Sequence, residues 1–92
     1  MAQVIATVDF GATQTDRGDF IVTDASFAGK TYAEAFFMSS DSTVDNDALA
    51  HEMAADLIRL SCDAPVGNDI GVHARATAWT IAKTMKIRVV AN

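Results

Sequence analysis

Cysteine, proline, tryptophan and tyrosine each occur once in these 92 residues, and basic residues are scarce. A single Cys62 excludes an internal disulfide, and among apolar neighbours a free thiol is expected to serve as a small buried hydrophobe rather than as a nucleophile. Seven Lys and Arg against 12 Asp and Glu leave a net charge of -5, which argues against a nucleic-acid partner because phosphate is normally gripped by clustered cations. No stretch approaches eighteen consecutive apolar residues, and no basic segment followed by an apolar run opens the chain, so neither a membrane partner nor a signal peptide is expected. Synthesis in a cytoplasm follows as the default.

What remains is half hydrophobic and includes five Phe, enough for one modest core and one domain over 1–92. The dominant pattern has a period of two, as a sheet with one buried face requires. Val4, Ala6, Val8 and Phe10 alternate with Ile5, Thr7 and Asp9, and Met85, Ile87 and Val89 alternate with Lys86, Arg88 and Val90. Phe20 to Asp24 predicts a short strand with Phe20 and Val22 on one face. Ala28 to Lys30 predicts a turn, and Thr31 to Met38 a strand with Tyr32, Glu34, Phe36 and Met38 on one face and Ala33, Ala35 and Phe37 on the other. Because both faces are largely apolar, that strand is expected at the centre of a sheet.

Ser39 to Asp47 reads as a surface loop. From Asn46 the period lengthens, with Leu49, Met53, Leu57 and Leu60 three or four residues apart and Asn46 or Asp47 able to cap. Either a helix of up to about fourteen residues or a short helix over 47–53 followed by a strand over 55–61 satisfies this spacing. Ala64 to Asp69 is a turn, Ile70 to Thr77 alternates again, and Trp79 to Thr84 fits a hairpin connection into the last strand. The fold class is therefore mainly β, a small antiparallel β-sandwich or partly open barrel with one short helix.

Motifs that carry chemistry are incomplete. His51 and Glu52 begin like a zinc-protease helix, but Ala55 stands where the second His is needed, so His51 is expected at the surface or in a helix cap. Gly29, Lys30 and Thr31 end like a phosphate-binding loop that lacks its earlier glycine, because that position is Asp24. Asp41, Thr43, Asp45, Asp47 and Glu52 match a calcium loop at positions one, three, five, seven and twelve, but a strand precedes them where a helix is required. An acidic loop feeding a capped helix is the preferred reading, with Asp41, Asp45, Asp47 and Glu52 as the weaker metal candidates. Arg17, Gly18 and Asp19 spell a short adhesion tripeptide that recurs by chance, and His73 with Arg75 is read as an ordinary pair on a sheet surface. No cofactor and no catalytic residue is assigned, and the chain is not expected to be an enzyme.

Charge is uneven along the chain. Nine of the 12 carboxylates precede Ala55, whereas Arg59, Arg75, Lys83, Lys86 and Arg88 follow it. Either the acidic part of one subunit meets the basic part of another, or folding mixes the signs.

The string ATVDFGA (6–12), the short strand Phe20 to Asp24, AGKT (28–31), the YAEAF strand (Tyr32 to Met38), the acidic, His-containing turn through Asp45 to Glu52, and GVHARA (71–76) together resemble a small β-rich structural module of tailed-bacteriophage virion proteins, of the head-decoration or tail type. The chain departs from that pattern at its end, where Lys86 to Val90 replaces a Trp-rich strand. The resemblance implies a non-enzymatic homo-oligomer, with a trimer among the options, located in the virion and bound to the major capsid protein or to a tail protein. A head decoration or cement subunit is the leading expectation; a tail or neck protein, or a calcium- or carbohydrate-binding β-module, is the alternative. The interface candidates are Tyr32, Phe36 and Trp79 as apolar anchors and Arg75, Lys86 and Arg88 as charged contacts. The edges of both terminal strands are expected to be places where neighbours attach.

Overall fold

The period-two segments become strands in the computed structural model, which describes residues 1–92. In chain order they are β1 (Ala2–Asp9), β2 (Arg17–Thr23), β3 (Ala33–Phe37), β4 (Ile58–Cys62), β5 (Asp69–Ala76) and β6 (Thr84–Ala91). A 3-10 turn, Ala25–Phe27, follows β2, and one helix, α1 (Ala48–Leu57), precedes β4. The strands form two antiparallel sheets ordered β1-β6-β3 and β2-β5-β4. The expected sandwich with one short helix is what forms.

The central strands β5 and β6 supply the driest part of the core. Ile70, Val72 and Ala74 on β5 and Met85, Ile87, Val89 and Ala91 on β6 are all sealed from solvent. Each points inward because every second residue of a strand shares a face. Phe27 plugs the core from the 3-10 turn, and Phe10 meets Phe20 edge-on at 4.9 Å and stacks on Phe37 at 6.5 Å, tying both sheets together. On one side the sandwich is closed, because β3 lies beside β4 and α1 packs on both; β1 and β2 on the other side approach each other less closely.

Four expectations about placement are corrected. The strand around Tyr32 to Phe37 is an edge strand, not a central one: Ala35 and Phe37 face inward, while Tyr32 and Phe36 face solvent. The terminal strands pair with each other, from Ala2 opposite Ala91 to Asp9 opposite Thr84, which puts β6 in the middle of its sheet with no free edge. Trp79 to Thr84 is not a hairpin, since β5 and β6 belong to different sheets. The segment crosses between sheets, with Ala78 and Lys83 in the left-handed region at φ 61° and 64°, and Thr15 and Ile81 exchange backbone hydrogen bonds at 2.9 Å.

The fourth correction concerns the helix. Its length falls between the two readings, with the strand starting at Ile58 directly after α1. The face turned inward carries His51 and Ala54, with Ile58 just beyond, whereas Leu49, Met53 and Leu57 are exposed. Small residues let the short helix lie close against β3 and β4, so spacing of the larger apolar side chains pointed to the wrong face.

Candidate functional site

Four of the six interface candidates come together on the outer face of the β1-β6-β3 sheet. Register sets Phe36 opposite Arg88 and Arg88 opposite Ile5, so one row across three strands reads aromatic, cationic, aliphatic. Directly opposite positions on one face are close enough for side chains to interact. The next row is Glu34, Val90 and Gln3, and beyond it Tyr32 exchanges backbone hydrogen bonds with Asn92 at 3.0 Å. Tyr32 is 73% exposed, Ile5 53% and Phe36 52%, an uncommon density of large apolar groups for one small face. Lys86 lies in the same sheet opposite Thr7, but its ammonium is committed to Asp41 at 3.2 Å. Arg88 takes part in none of the ion pairs, and its Nε is buried without a hydrogen-bond partner. Trp79, by contrast, is packed against the core rather than presented.

The acidic segment is a strap across the start of β6. Thr43 donates its hydroxyl to the Thr84 carbonyl at 2.8 Å, and the Asn46 amide donates to the Ala82 and Thr84 carbonyls at 3.0 and 2.7 Å. Asp45 accepts from the Thr84 hydroxyl and backbone N–H, and Asp47 caps α1 by accepting from Ala50 N–H at 2.9 Å. The Thr84 hydroxyl holds the Asp45 carboxyl below the usual carboxylate range; the Ser42 backbone N–H, followed by Lys86, does the same for Asp41. Of the metal candidates, Asp41, Asp45 and Asp47 each have a separate protein partner and Glu52 is exposed on α1, so the four do not converge. No group of three or more His, Cys, Asp or Glu is arranged to hold a metal ion.

The strap ends at His51, which is fully buried, contrary to its expected place at the surface or in a cap. Its Nδ1 lies 2.9 Å from the Asp47 carbonyl, and the Lys86 backbone N–H donates to Nε2 at 2.9 Å. A carbonyl can only accept, so Nδ1 carries the proton and Nε2 is the acceptor of a neutral ring. The ring supplies the acceptor for the Lys86 N–H, and the Asp47 carbonyl, which also accepts the helical bond from His51 N–H at 3.1 Å, takes the ring's own proton; with both nitrogens satisfied a histidine is stable there.

The second sheet bears a polar cluster on its outer face. His73 on β5 stands opposite Asp19 on β2, and its Nδ1 lies 2.7 Å from Asp19 Oδ1 while Nε2 lies 3.0 Å from Asp63 Oδ2. Arg75 completes it at 3.1 Å from Asp19. Asp63 reaches across the strand because Gly71 has no side chain: a Cβ there would sit 2.5 Å from Asp63 Oδ2. The hydrogen bond from Asp19, then that from Asp63, raises the His73 pKa above its ordinary value; His73 and then Arg75 hold Asp19 below its own. Asp19, Asp63 and His73 line an open cleft of about 410 Å³ together with Phe20, Ile21 and Val66.

No family model, no curated protein and no solved structure matches this chain. Function is therefore read from these surfaces. Both ring nitrogens of His73 are already bonded to carboxylates, which leaves none to accept a proton from a substrate. Burial, with Asp63 and Glu34 adding to it, pushes the Cys62 thiol up to about 11, away from nucleophilic chemistry. Asp19 of the adhesion-like tripeptide sits within β2 with its carboxylate engaged by His73 and Arg75, rather than on a loop tip. Sequence reasoning flagged His73 and Arg75 but missed Asp19, Asp63 and Gly71 as their partners. The only available signal was the period-two placement of His73 and Arg75 on a polar face, and it does not say which strand lies alongside.

Proposed function

We propose that this chain is a non-catalytic structural subunit that attaches to a larger assembly through the outer face of the β1-β6-β3 sheet, and that the assembly is a bacteriophage particle whose head it decorates. The observation that carries the attachment surface is the row Ile5, Arg88 and Phe36, in which an unpaired guanidinium lies between two exposed apolar side chains. Such a centre suits an interface, where aromatic and Arg anchors contribute most when neighbours exclude water from them. The phage context rests on the resemblance of residues 6–12, 20–24, 28–38, 45–52 and 71–76 to virion modules. The partner is then the major capsid protein, or a tail protein if the subunit sits elsewhere on the particle.

Electron cryomicroscopy of particles assembled in cells that produce the chain tests both parts. Density for it on the head is the expected result, and Phe36→Asp should remove that density while the purified variant stays folded by circular dichroism. Density on the tail replaces the decoration reading with the tail one. Particles that never carry the chain, or that carry the Phe36→Asp variant equally well, overturn the proposal.

A further inference from the structure

β1 is the edge strand least defended against another strand. β2 carries Arg17 and Asp19, β3 carries Glu34, β4 carries Arg59, and β3 and β4 lie beside each other under α1. Such charges and covers are the ordinary means by which proteins prevent edge-to-edge pairing. From Ala2 to Val8, β1 has no charge and no proline, and its register with β6 runs without a bulge over all eight residues. Its far side pairs with nothing in the chain.

The hydrogen-bonding groups on that side can be assigned. Phe10 N–H donates to the Lys83 carbonyl on the side of β6, and successive residues of an antiparallel strand alternate sides. Gln3, Ile5 and Thr7 therefore turn both N–H and C=O toward the free edge. Burial shows what that edge lacks: Val4 and Ala6 face the core but are only half-buried, whereas Val89 and Ile87, their partners on β6, are completely sealed. A strand laid against β1 would cover them and pair the free backbone groups together.

We propose that this strand is β1 of a second copy, paired antiparallel about a two-fold axis at Ile5, so that two three-stranded sheets become one continuous six-stranded sheet. In this register Ile5 faces Ile5 of the second copy, and Gln3 faces Thr7 in both directions, so the outward amides and carbonyls bond reciprocally. Val4 and Ala6 face each other on the inner side, and no like charges meet between Gln3 and Thr7. Self-complementarity of this kind is what a two-fold contact demands. The pairing goes beyond the proposed attachment and does not rest on it: the two share Ile5, while Arg88 and Phe36 stay open.

Sedimentation velocity on the full chain should find a species of twice its 9.8 kDa mass that dissociates on dilution. Ile5→Lys and Ile5→Glu alter an exposed side chain, so each should keep the wild-type circular dichroism but sediment as a monomer. An equimolar mixture of the two should recover the dimer, because the axis then pairs opposite charges. Amide exchange supplies a signature specific to strand pairing: Gln3, Ile5 and Thr7 should be protected in the wild type and lose protection in Ile5→Lys, while Val4, Ala6 and Val8 stay protected in both. A wild type that remains monomeric into the millimolar range, an Ile5→Lys variant that still dimerises, or a mixture that stays monomeric overturns the proposal. A dimer that forms by this edge but never binds a particle upholds it and overturns the attachment reading instead.

Discussion

His51 and His73 each join segments far apart in the chain, but they do so in opposite media. His51 is sealed beneath the strap and bonds two backbone groups, one of them 35 residues away on β6. His73 stands on an outer face and bonds two carboxylates, one from β2 and one from just beyond β4. Inside, where water cannot substitute, losing the ring leaves the Lys86 N–H without its acceptor and a void in the core. Outside, water can replace every partner, so the same number of bonds contributes far less to stability. Position relative to the core, rather than hydrogen-bond count, decides what each histidine does.

The contrast is broken most directly at His51. His51→Ala should cost about 3 kcal/mol or more in urea denaturation, from the cavity and from the stranded Lys86 N–H. His73→Ala should lower stability far less, and a comparable loss would mean that burial is not what separates the two sites. Asn46→Ala comes next, because its amide holds two carbonyls at the mouth of β6. It should cost about 1–2 kcal/mol, and protection of the Lys86 amide should fall with it if strap and His51 act as one unit.

Period-two alternation made most strands legible, because the inner face of each must be apolar whatever it packs on. Which strand lies beside which was not legible. Tyr32 to Met38 has apolar residues on both faces and so reads as central, yet Tyr32 and Phe36 are exposed on an edge strand. Leu49, Met53 and Leu57 misled for a related reason: hydropathy ranks leucine above alanine and histidine, but the tight fit under α1 takes Ala54 and His51. The calcium-like spacing of Asp41 to Glu52 arose because the strap needs acceptors for Ala50 N–H, Thr84 and Lys86 at intervals that happen to match. Partners such as Lys86 for His51, or Asp63 for His73, are set by tertiary register and leave no local trace.

Gly71→Ala sharpens the surface half of the comparison. The new Cβ would collide with Asp63 Oδ2, and a side chain free to move into water will do so, breaking its bond to His73 Nε2. The His73 pKa, followed by NMR, should move down toward its ordinary value. Stability should hold or rise, because alanine has less backbone freedom to lose than glycine within a strand. A clear loss would show that the Asp63 contact contributes more than a solvent-exposed ion pair should.

The smallest expected effect is also the most diagnostic, because the linked shifts have opposite signs. His73 has its pKa raised in the folded state, so its contribution is fully present below its unfolded value near 6.5 and is lost as pH rises through the folded one. Asp19 is lowered, so its contribution is present above its unfolded value near 3.8 and is lost as pH falls through the folded one. Together they stabilise most between those limits. Asp24, Asp41 and Asp45 are lowered too, which spreads the acid flank over several carboxylates, whereas His73 alone among the shifted groups governs the flank near neutrality. His73→Gln should therefore flatten the dependence of the urea midpoint between about pH 6 and 8 and leave most of the acid flank in place. Measurement should stop near pH 8, short of the range where Cys62, pushed up to about 11, adds a further loss as the unfolded thiol ionises. An unaltered neutral flank in His73→Gln would place the responsible group elsewhere and remove the surface histidine from the comparison.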